Sequence, residues 1–345
     1  MPKCCALCFE DKQISREIDT HHSDRGTCSF CGAEDVLVIE PVRLREFFEQ
    51  LQGSYAVAEE GGKNLAEWFK LDWRLFDSLS VLQTKELLGE IFDDANLLRL
   101  NFNPISQTTS TNLDLWARLR TELMEENRFF PKDTISHERM HFLATQLILQ
   151  NADIPAVWFR ARIQESSTPY AMDKMGPPPK DKATHGRANP AGISYLYMAS
   201  DLTTAISEIR PHTGELVTVA EFELIEELKL VDLQNPRKLV TPFICENESD
   251  IVQLRGDVEF LERFGEELTR PVLPRAAAID YIPSQYLCEM IKKFGFDGVI
   301  YRSSVGNEMN IALFYPQKAR ARGTSMHYVS KVDVQAIPQP AAPTS

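Results

Sequence analysis

The chain has 345 residues, 43% of them hydrophobic and 25% charged, as expected of a soluble globular protein with two or three packed units. Its formal net charge of −13 argues against sequence-independent binding of DNA or RNA, which depends on Lys and Arg neutralising phosphates. No run approaches the ~20 apolar residues of a membrane span. Met1-Pro2-Lys3-Cys4-Cys5 also lacks the apolar core of a secretory signal, so the expectation is a cytoplasmic protein without membrane or nucleic-acid partners.

Residues 1–40 hold five of the seven cysteines. Cys5-Ala-Leu-Cys8 and Cys28-Ser-Phe-Cys31 form two C-x₂-C pairs separated by nineteen residues. Zn²⁺ favours four soft ligands in a tetrahedron, and each pair presents two thiolates to one side of it, so this spacing predicts a structural zinc in a ribbon or knuckle closed by Gly32. Four thiolates leave no coordination position open, so the ion is expected to fold the segment and to take no part in chemistry. Two alternatives stay open: Cys4 in place of Cys5, and His21 or His22 in place of one thiolate. Cys245 and Cys288 stand alone among apolar residues and read as core. The segment ends on a strand-like run, Val36–Ile39.

Residues 41–150 read as an all-helical domain. Leu44, Phe47, Phe48 and Leu51 recur at i, i+3, i+4, i+7 behind Pro41, and further helices are predicted around 65–69, 81–92, 113–126 and 134–150. Ser80 three residues before Gln83 predicts a capping box, and the polar stretch 101–112 predicts a loop. From 151 to 336 the texture changes to short β-type runs at 156–163, 194–199, 216–222, 229–232, 298–302 and 310–314. Short helices at 202–209 and 284–294 separate them, the pattern of an α+β domain. The last residues, 337–345, have the composition of a disordered tail.

The most informative stretch is Gly186-Arg187-Ala-Asn189-Pro190-Ala-Gly192 followed by a strand carrying Tyr197. Ser200 or Asp201 then caps a helix whose Leu202, Ala205, Ile206 and Ile209 face a core while Glu208 lies on the flank. Together with Phe159-Arg160-Ala-Arg162 upstream and Gly295-Phe-Asp-Gly298-Val-Ile-Tyr301-Arg302-Ser303-Ser304 downstream, this block resembles the RES (Arg-Glu-Ser) domain. The likeness covers about 150–335, places the family's leading arginine at Arg160, and matches Arg187, Tyr197, Glu208 and Ser303 to its later block and closing strand, with Ser304 adjacent. Strand alternation places Tyr301 and Ser303 on one face, which favours Ser303 if Tyr301 faces a cleft.

The resemblance implies an ADP-ribosyltransferase-like fold and NAD⁺ as substrate. In that setting Arg160 and Arg187 would grip the pyrophosphate, Tyr197 would offer an aromatic platform to nicotinamide, and Glu208 would stabilise the ribosyl cation. Ser303 would hydrogen-bond the nicotinamide carboxamide or a phosphate oxygen. Water, inorganic phosphate or a protein side chain could then accept the ADP-ribosyl group, and the family implies a toxin that depletes NAD⁺. The first half resembles the zinc-plus-helical domain found ahead of some RES domains, near the HEPN superfamily, where an inhibitory or activating protein partner would act. HEPN ribonucleases place His four to six residues after Arg on a helix. Residues 41–150 lack that pair, while Arg16 and His21, which have the spacing, lie in the zinc segment. The cations Lys174, Lys180, Lys182, His185 and Arg187 suggest a basic lid, and a non-catalytic partner-binding scaffold is the rival reading.

Overall fold

The computed structural model describes residues 1–333 apart from 95, 107–111, 133–134, 274 and 307. The expected tail at 337–345 and much of the loop at 101–112 lie outside the described residues.

The N-terminal segment folds around its cysteines. A 3₁₀ turn, Ala6–Cys8, leads to helix α1 (Lys12–His21), capped by Asp11, whose carboxylate accepts from the amides of Gln13 and Ile14 at 2.8 and 3.0 Å. Strands β1 (Asp24–Gly26) and β2 (Val36–Val38) pair antiparallel and carry the second cysteine pair in the turn between them.

Helices α2 (Arg45–Gly53), α3 (Leu65–Trp73), α4 (Val81–Phe92), α5 (Asn112–Glu125) and α6 (His137–Gln146) follow. Both α3 and α4 start with a capping box, Asn64 with Glu67 and Ser80 with Gln83. The segment is not all helical. Strands β3 (Tyr55–Val57) and β4 (Phe102–Pro104) make a small antiparallel ribbon, because Phe102 is wholly buried and its backbone also bridges Lys63.

The C-terminal half is built on a seven-stranded sheet in the order β11-β7-β5-β6-β10-β9-β8. Its strands are β5 (Trp158–Ile163), β6 (Leu196–Ala199), β7 (Leu216–Leu224), β8 (Leu230–Asp232), β9 (Gly298–Arg302), β10 (Met309–Leu313) and β11 (Ala319–Tyr328). All pairs are antiparallel except β8 with β9. The helices are α7 (Leu202–Glu208), α8 (Pro236–Leu239), α9 (Glu248–Thr269), α10 (Ala277–Asp280) and α11 (Ile282–Lys293). Helix α9 is much longer than any helix predicted for this half.

One apolar core runs through all three segments, from Cys8 and Phe48 to Leu261 and Phe314. Helix α9 lies at its centre and is pinned to the helical segment by ions. Asp257, wholly buried, accepts through Oδ2 from Nε and Nη2 of Arg139 on α6, and Arg255 faces Asp72 on α3 at 3.7 Å. Breaking such a pair leaves an uncompensated buried charge, at a cost of about 3–5 kcal/mol.

Candidate active site

The sheet is pinched between β5 and β6, which pair at a single residue, Phe159 with Ala199, whereas β5 pairs with β7 along six. A cleft of about 310 Å³ opens at this pinch. Its floor follows the register of the sheet. Ala199 faces Asn310 and Asn310 faces Tyr301, so the three share one row across β6, β10 and β9, and all three line the cleft.

Arg160 spans the pinch, with Nη1 donating to the carbonyl of Tyr197 at 2.8 Å. Its Nε is buried with no partner among the described residues, a donor left free at the cleft wall. Burial pulls this guanidinium down to about 10, still well above neutrality.

Arg187 sits in a turn held from several sides. Asn189 is buried and donates through Nδ2 to the carbonyls of Thr184, Pro190 and Ile193, while its Oδ1 accepts the Tyr197 hydroxyl at 2.6 Å. A Cβ at Gly186 would collide with Asn189 and with the Tyr197 hydroxyl, so glycine is required there. From α11, Ser284 donates to the carbonyl of Arg187 at 2.6 Å, and Gln285 Nε2 donates to those of Gly186 and Asn189 at 2.8 and 2.9 Å. The guanidinium of Arg187 lies over the Tyr281 ring at 5.5 Å and donates to the carbonyl of Arg270 and to the Ser304 hydroxyl, at 2.7 and 3.2 Å.

Glu208 ends α7, which Asp201 caps by accepting from the amides of Thr203 and Thr204. The side chains of Leu202, Ala205, Ile206 and Ile209 pack in one small cluster with Ala161 and Ala199, leaving Glu208 at the cleft. Its Oε1 accepts from Ser303 Oγ at 2.7 Å and from Asn310 Nδ2 at 2.6 Å. Ser303 Oγ also accepts from the amides of Val305 and Gly306.

The fold thus gathers Arg160, Arg187, Tyr197 and Glu208 around one cleft, with Ser303 bonded to the carboxylate. Ser303 and Ser304 serve different partners, the first Glu208 and the second Arg187. Asn310 and Tyr281 are cleft residues that the sequence did not single out. Asn310 lies 102 positions from the glutamate it holds, and no local spacing announces such a pair. Of the loop cations, His185 and Arg187 line the cleft, whereas Lys174, Lys180 and Lys182 are exposed outside its lining. That loop is anchored by buried Met175 and Ala183 and makes two 3₁₀ turns, Met172–Lys174 and Lys180–Lys182.

Far from the cleft in sequence, the sulfurs of Cys5, Cys8, Cys28 and Cys31 lie within 4.8 Å of one another. Cys5 and Cys31 stand 3.5 Å apart, and Cys8 and Cys28 3.4 Å. A tetrahedron with ~2.3 Å metal–sulfur bonds has sulfurs ~3.8 Å apart, so the quartet fits a metal ion. Cys4 turns away toward the carbonyl of Ile39, and His21 pairs with Glu17 at 2.8 Å. Hydrogen bonding to Cys28 pushes the Cys5 thiol up to about 12, and bonding to Cys5 draws Cys28 down.

His137-Glu-Arg-Met-His141 on α6 has the H-E-x-x-H spacing of zinc peptidases. Both imidazoles stand edge-on to Phe294, at 6.0 and 5.4 Å, and Glu138 accepts the Ser136 hydroxyl. Among the described residues no third ligand joins them, and the cysteine quartet is the one group able to hold a metal.

A family model described as the RES domain matches residues 157–333, just over half of the chain. No curated protein matches it. Among solved structures, the MbcT–MbcA toxin–antitoxin complex of M. tuberculosis is similar at a TM-score of 0.33 and 11% identity, over 55% of this chain and 92% of that one. A family match of this extent, falling on the strands and helices that build the cleft, makes the protein a member of the RES domain family.

Proposed function

We propose that the cleft binds NAD⁺ and breaks the bond between nicotinamide and ribose, so that the protein acts as a toxin or defence effector by depleting NAD⁺. One observation carries the reading: a carboxylate, Glu208, is held by Ser303 and Asn310 at a cleft whose walls supply two guanidiniums, Arg160 and Arg187.

The residues divide the work by charge. Arg160 has a free Nε and Arg187 a planar fork, and together they suit the pyrophosphate of a dinucleotide. Tyr197, its hydroxyl locked to Asn189, presents its ring as a fixed wall for nicotinamide. As the C–N bond breaks, its electron pair leaves with nicotinamide and positive charge develops on the ribose. Glu208, oriented in advance by two donors, stabilises that charge without reorganising. Water or phosphate then adds to the ribosyl carbon, and with water the released proton passes to Glu208 or to solvent. The quartet of thiolates would hold a structural Zn²⁺, which needs no part in these steps.

Incubating the full-length protein with NAD⁺, with and without inorganic phosphate, tests the reading. Free nicotinamide with ADP-ribose identifies water as acceptor, and ADP-ribose-1″-phosphate identifies phosphate. Transfer of ADP-ribose onto protein would instead support the transferase reading. Intact NAD⁺ after prolonged incubation rejects all three.

A further inference from the structure

We infer that Arg120 and Glu267 are positioning residues for Arg187, so that the helical half sets how firmly the cleft holds its substrate; the inference rests on the NAD⁺ reading above. Arg187 hangs on the C-terminus of α9, where its Nη1 donates to the carbonyl of Arg270, the capping residue, at 2.7 Å. Carbonyls in the last turn of a helix have no intrahelical partner and carry the negative end of its dipole, so this is a favourable seat for a cation.

Arg270 itself is held in place by its side chain. Nε donates to Glu267 Oε2 at 2.8 Å, and Nη2 donates to the carbonyl of Asp280 at 3.0 Å. Asp280 immediately precedes Tyr281, the ring beneath Arg187. Two cleft residues, Arg187 and Tyr281, therefore take their positions from Arg270.

The remaining link crosses to the helical half. The second oxygen of Glu267 accepts from Arg120 Nε on α5 at 2.7 Å. The Glu267 side chain is 12% exposed and that of Arg120 31%, so the carboxylate is shielded while its α5 partner stays accessible to substitution. Without Arg120, Glu267 keeps Arg270 alone of its two cation partners among the described residues, and the last turn of α9 loses this ion pair to α5. The guanidinium of Arg187 then loses a fixed acceptor, not its charge. This predicts weaker substrate holding with the bond-breaking step intact.

The test uses full-length Arg120→Ala, Arg120→Lys and Glu267→Gln. Two quantities are read: the KM and kcat of nicotinamide release, and the NMR side-chain Nη–H signals of Arg187, assigned by their loss in Arg187→Lys. In Arg120→Ala, KM is expected to rise about tenfold with kcat within about twofold. The Arg187 Nη–H protons should exchange with water at least about threefold faster. Arg120→Lys should recover most of both effects, and Glu267→Gln should repeat them. Unchanged KM and exchange would overturn the inference, as would a fall in kcat and melting temperature with KM unmoved. If the wild type releases no nicotinamide, the NAD⁺ reading fails, and the exchange comparison alone decides whether Arg120 positions Arg187.

Discussion

The cysteine quartet and the cleft are both small sets of polar groups, but they are assembled in opposite ways. The four sulfurs come from two pairs within 27 consecutive residues, three are buried, and all lie within 4.8 Å of one another, close enough to hold one metal ion. The cleft draws on residues from Arg160 to Asn310, stays open, and leaves a buried Arg160 donor without a partner. A saturated set stabilises the chain that makes it. A set with unspent hydrogen-bonding capacity is built for something from outside.

Glu208→Gln separates the two most sharply. It should lower nicotinamide release about 10²–10³-fold while leaving melting temperature and metal content unchanged, checked by product assay beside thermal unfolding. The reverse substitution class, Cys28→Ser or removal of metal by a strong chelator, should lower the melting temperature by more than ~10 °C and take activity with it. A quartet that can be stripped without loss of stability would remove the contrast. Arg187→Ala should raise KM about ten- to a hundredfold with a smaller change in kcat, measured by initial rates.

The paired serines give a finer division. Ser303→Ala frees one bond to Glu208 and should lower kcat about tenfold, whereas Ser304→Ala loosens Arg187 and should raise KM about threefold. The smallest effect concerns pH. With Arg160 down to about 10 by burial, its cation is present at neutral pH and is lost only as pH rises through that value. KM should therefore stay flat from pH 6 to 9. A KM that climbs within that range would assign the grip to a group other than Arg160.

How much of this was legible in the sequence follows from distance along the chain. The Ser80–Gln83 capping box, the β2 strand and the Gly186–Glu208 block depend on neighbours a few residues away, and those patterns are visible. Strand β11 is not, because it lies at the sheet edge and its half-buried positions are Ala319, Ala321, Gly323 and His327, with no large apolar residue among them. Helix α9 hides its length differently. Charged Arg255 and Asp257 interrupt its apolar positions, and they are buried only because Asp72 and Arg139 meet them from the helical half. The β3–β4 ribbon joins residues nearly fifty apart, so a helical reading of 41–150 was the natural one. The partners of Glu208 are likewise tertiary, since Ser303 and Asn310 reach it only after the sheet has formed.

Chromatography of NAD⁺ incubated with the full-length protein reads which bond breaks, and breakage between nicotinamide and ribose is the outcome expected. One nicotinamide should be released for each NAD⁺ lost, and about 10²–10³-fold more slowly by Glu208→Gln. Appearance of AMP and nicotinamide mononucleotide would place cleavage at the pyrophosphate and contradict it, as would NAD⁺ recovered whole.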